Sequence, residues 1–74
     1  MDIKKEFERI EKEYAKDKKG TDYYKFEFVE SLTDPIDLCR VIMEWSDCFG
    51  DEYYSGFQYA VVGAAQNILK KRSE

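Results

Sequence analysis

Only one stretch of this chain alternates in the manner of a half-buried strand, Tyr24-Lys25-Phe26-Glu27-Phe28, and no second stretch of that kind exists to pair with it. A lone strand leaves its backbone donors and acceptors unpaired, so a sheet is open to this chain only if a second subunit completes it. Everywhere else the apolar residues recur at helical spacing. An all-α fold is the expectation, a compact bundle of about four helices. The alternative is an α+β arrangement with a short strand at 23–29.

The first helix is expected over about 2–17, where Ile3, Phe7, Ile10 and Tyr14 recur at intervals of four, three and four among charged residues. Lys16, Lys18, Lys19 and Gly20 supply its stop signals. Thr21 and Asp22 offer a cap for a second helix over about 22–32 carrying Tyr24, Phe28, Val29 and Leu32. Thr33-Asp34-Pro35 is a strong helix start, because Asp34 can accept from free amides and proline at the first helical position forfeits no hydrogen bond. The third helix, about 35–48, places Leu38, Val41, Ile42, Trp45 and Phe49 on one face and Arg40, Glu44 and Asp47 on the other. Gly50 and Asp51 then mark a tight antiparallel hairpin into a fourth helix over about 52–71. Tyr53, Tyr54, Phe57, Ala60, Val61, Ala64, Ala65, Ile68 and Leu69 give that helix an apolar arc of roughly 200°. So wide an arc predicts a central helix with the other three around it.

Seventy-four residues are one domain's worth, 1–74. At 8.8 kDa a compact monomer exposes roughly 4,800 Å² out of about 12,800 Å² unfolded, burying about 63%. Hydrophobic residues at 43% and aromatics at 16% supply the apolar area that disordered chains lack.

Several kinds of chemistry are disfavoured at once. With no histidine the chain lacks the commonest general base and metal ligand. Cys39 and Cys48, nine residues apart, point to opposite sides of one helix, form no C-x-x-C pair and have no evident activating base. The acidic residues around the third turn do not follow a calcium loop, since Cys48 and Phe49 stand where ligands belong. No enzyme, metal or cofactor is expected. A recognition helix would present Arg or Lys, yet the third helix offers Arg40 against Asp37, Glu44 and Asp47, so direct nucleic-acid binding is not expected either. The longest apolar run, Tyr59 to Ala65, falls far short of the ~20 residues of a membrane span. Met1-Asp2-Ile3-Lys4-Lys5-Glu6 carries no secretory apolar run, and a cytoplasmic location is the expectation.

Charge is uneven along the chain. Residues 1–20 carry seven basic and six acidic groups, residues 21–52 two and nine, residues 53–74 three and one. The acidic middle suits a basic protein partner, by steering it or by imitating spaced phosphates. Asp37, Glu44, Asp47, Asp51 and Glu52 are its candidate contacts, with Met43 and Tyr59 as apolar anchors. The function expected is that of a small acidic, non-enzymatic protein-binding regulator or inhibitor, one form of which is a nucleic-acid-mimicking decoy of the phage or mobile-element type. That form rests on analogy of size and charge. The alternative is a homo-oligomeric structural or accessory protein, a homodimer in its simplest form, that self-associates through exposed aromatic and glycine surfaces.

Overall fold

A computed structural model describes residues 2–46 and 54–72. It contains four helices, α1 (Ile3–Glu13), α2 (Thr21–Glu30), α3 (Pro35–Trp45) and α4 (Tyr54–Arg72), and no strand among the described residues. The α+β alternative is thereby overturned. Segment 23–29 is helical because its aromatics are useful on several sides at once: Tyr24 and Phe28 meet α1, while Phe26 reaches α4.

Each helix start has a local cause. Asp2 caps α1, its Oδ1 accepting from the Lys5 amide at 3.1 Å. Asp34 caps α3 by accepting from the Ile36 amide at 2.8 Å, with Pro35 at the first position, as expected. Two boundaries differ from the expectation. α1 stops at Glu13 rather than near 17, because Asp17 turns its Oδ1 onto the Lys19 amide at 2.9 Å and draws the chain into successive turns. The residue capping α2 is Gly20, at φ +82°, and neither Thr21 nor Asp22 takes that place. A left-handed φ is what reverses the chain here, and glycine adopts it without steric cost.

Paired residues give the helix directions. Phe7 with Phe28, Glu11 with Lys25, and Tyr14 with Tyr24 run α1 and α2 antiparallel. Phe26 against Gly56, and Glu30 against Gly63 and Asn67, run α2 and α4 parallel. Pro35 and Leu38 share a groove with Ile68, Leu69 and Arg72, and Ser46 shares one with Phe57 and Gln58, so α3 lies along α4 in the opposite sense. The tight turn expected between these two falls outside the described residues, as do Cys48, Phe49, Gly50 and Tyr53.

Ile3, Phe7 and Ile10 from α1, Val29 and Leu32, Leu38 and Val41 from α3, and Phe57, Ala60, Ala64 and Ile68 from α4 form one buried cluster with no polar member. The stripe of α1 is thus docked on the body and unavailable as a dimer seam. Phe7 is its keystone, meeting Phe28 edge-to-face at 5.7 Å and Trp45 at 4.7 Å between ring centroids. Three expectations about the core need correction. α4 is not a hub for all three other helices, since α1 makes its principal contact with α2 and the closest pair is α2 with α4. Ile42 remains 41% exposed and Leu69 68% exposed, although both were assigned to the interior. The core is only two to three residues wide on each helix, and α3 and α4 present to it the faces centred on Val41 and Ala64, leaving Ile42 and Leu69 on the shoulder.

Candidate functional site: an apolar face on α3 and α4

Tyr54 to Leu69, most of α4, contains no charged residue, in a chain whose residues are 38% charged. That stretch is about 24 Å of helix. Its solvent side carries Ser55, Gln58, Tyr59, Val62, Gln66 and Leu69, all exposed. Across a groove from it lies the flank of α3 bearing Cys39 and Ile42, with Ile36 and Met43 at the outermost edge. The groove runs from Ser46, Ile42, Phe57 and Val62 at one end to Cys39, Ala65, Leu69 and Arg72 at the other.

Seven large hydrophobic residues are exposed among the described residues, and six of them, Ile36, Ile42, Met43, Tyr59, Val62 and Leu69, belong to α3 and α4. Tyr23 on α2 is the seventh, with the Lys19 ammonium 4.8 Å above its ring. The exposed side of α1, in contrast, is almost wholly charged, with Arg9 bridging Glu6 and Glu13. Hydrogen bonding of Arg9 to Glu6, with the fields of both carboxylates, raises its pKa above the ordinary guanidinium value. Depletion of charge together with exposed Tyr and Met is the compositional mark of an interface core.

The structure divides the seven sequence-derived contact residues. Met43 (83% exposed) and Tyr59 (80% exposed) belong to the apolar side. Asp37 and Glu44 lie on the opposite flank of α3, the one turned toward α1, where Glu44 lines a shallow polar hollow with Lys4 and Arg40. Asp47, Asp51 and Glu52 lie outside the described residues. The sequence reading did not assign Ile42, Val62 and Leu69 to this surface. The signal that marks them is the unbroken absence of charge from Tyr54 to Leu69.

Glycines on α4 serve the opposite flank and do not line the apolar face. A Cβ at Gly56 would stand 2.8 Å from Cε2 of Phe26, and one at Gly63 would stand 2.9 Å from Cγ of Glu30, so both permit close approach of α2. Asn67 secures the same seam, its side-chain amide donating to the Glu30 carbonyl at 3.2 Å. The indole Nε1 of Trp45 is enclosed and meets no acceptor among the described residues.

No helix among the described residues is long and apolar enough to cross a membrane. No family model matches the chain, and no match is found among the curated proteins or the solved structures.

Proposed function

We propose that this chain is a non-enzymatic protein-binding regulator that meets its partner through the apolar face of α3 and α4. The observation carrying this reading is the gathering of six exposed large hydrophobics on α3 and α4, the latter without a charged residue from Tyr54 to Leu69. Solvated helices of so charged a chain would ordinarily place Lys or Glu at such positions, as α1 does. Asp37 and Glu44 lie off this face, so a basic partner that they steer meets the opposite flank of α3 and not the apolar side. The decoy form of the function draws less from the geometry, because Lys4 and Arg40 share the hollow with Glu44, and Lys25 is paired with Glu11 at 2.7 Å.

A photo-reactive amino acid placed at position 59, and separately at position 8 on the charged side of α1, tests the face in producing cells. Discrete protein adducts from position 59 and none from position 8 are expected. Equal yields from both positions would overturn the assignment.

A further inference from the structure

We infer that the partner seated on this face is a second copy of the chain, the two α4 helices packing antiparallel about a twofold axis. The inference rests on the reading of the α3 and α4 face as a binding surface and names its occupant.

Surface area is the first support. The chain exposes 5576 Å², against roughly 4,800 Å² for a compact monomer of its mass. The radius of gyration is 12.3 Å, where a compact chain of this length has about 11.3 Å. An interface of standard size takes about 800 Å² from each partner, an area of the same order as the whole-chain excess of surface.

Charge is the second. Two copies carrying −4 each repel over most of their surfaces. The Tyr54–Leu69 stretch of α4 bears neither sign and is self-complementary, because any group on it meets its twofold mate without like-charge contact. Along α4 the exposed residues Tyr59, Val62, Gln66 and Leu69 recur at three, four and three, the spacing by which one helix packs along another. Direction follows from the ends. Lys70, Lys71 and Arg72 close α4, so a parallel pair would stack six cations together. An antiparallel pair centred on the Tyr59–Leu69 stripe separates the two clusters by roughly 21 Å, well beyond the ~8 Å screening length at physiological salt.

Sedimentation velocity of the full chain over about 5 to about 500 µM tests the pairing. The expected result is a rise from 8.8 kDa toward twice that mass, unchanged or strengthened as sodium chloride goes from about 0.05 to about 0.5 M. Val62→Glu with Leu69→Glu should raise the dissociation constant roughly a hundredfold or more, each copy then placing two uncompensated carboxylates in the contact. Both positions are exposed, so helicity by circular dichroism should persist; Tyr59→Glu is the second, single-site probe. A wild-type chain that stays monomeric throughout overturns the second copy and leaves the face to a foreign protein. A dimer that survives both variants overturns the face itself, and with it the proposed function. Loss of the dimer in high salt overturns the charge-free contact. Spin labels at position 55, in a Cys39→Ser, Cys48→Ser background, should lie more than about 20 Å apart; a shorter separation overturns the antiparallel arrangement.

Discussion

Phe7 shows how much of this fold depends on single side chains. It is buried against Phe28 and Trp45 at the meeting point of three helices, and Phe7→Ala should cost about 3–5 kcal/mol, much of the stability of a 74-residue domain. Urea titration should find it largely unfolded. Trp45→Ala should cost less, since Trp45 is half-buried at the end of α3. Tyr24 offers a different kind of test. Its ring stacks on Tyr14 at 3.7 Å, and burial, reinforced by Asp17, raises its pKa above the ordinary 10.0. The folded chain therefore holds this proton more tightly than the unfolded chain does. The stabilisation is present below about pH 10 and is lost as pH climbs through the folded value. Denaturation midpoints at about pH 9 and about pH 11 should fall further in the wild type than in Tyr24→Phe.

Among the elements, those with both a start signal and a 3.6 period were legible from the residues. Asp34-Pro35 and the Ile3-Phe7-Ile10 stripe behave as their chemistry dictates. What could not be read was how narrow the core would be. Periodicity tells which residues share a face, but not how far around the helix the neighbours reach, and Ile42 and Leu69 fell beyond that reach. The same limit hid the candidate face, because a 3.6 period does not distinguish an apolar residue under a neighbouring helix from one on the shoulder beside it. The alternation of 23–29 misled for a related reason: α2 is contacted from two sides, so apolar side chains on several of its faces are all used. Two glycines on α4 separate these effects experimentally. At Gly63 a Cβ would crowd Cγ of the exposed Glu30 side chain, which must shift, so Gly63→Ala should realise only part of the about 1 kcal/mol that helix propensity offers. At Gly56 the obstacle is the Phe26 ring packed against the core, and Gly56→Ala should lower the melting temperature. Removing the α3 cap with Asp34→Ala should cost about 1 kcal/mol by the same measurement.

At the scale of the whole molecule, a chain exposing 5576 Å² buries roughly 56% of its unfolded surface, less than the about 63% expected at this mass. The inferred pairing predicts a melting temperature that rises as the chain is concentrated, because binding between folded copies stabilises them by mass action. Calorimetry over a hundredfold range of concentration checks this; a constant melting temperature would be the contrary result. The charge-free stretch of α4 also has a chemical consequence. Between Arg40 and Lys70 there is neither lysine nor arginine, so trypsin releases the C-terminal half of α3 and nearly all of α4 as one uncut peptide. Amine-directed acylation has no target on that face, and amine-reactive cross-linkers will pass over any contact made there. Tyr59 and the Cys39 thiol at its edge are the handles through which covalent labelling can report on it.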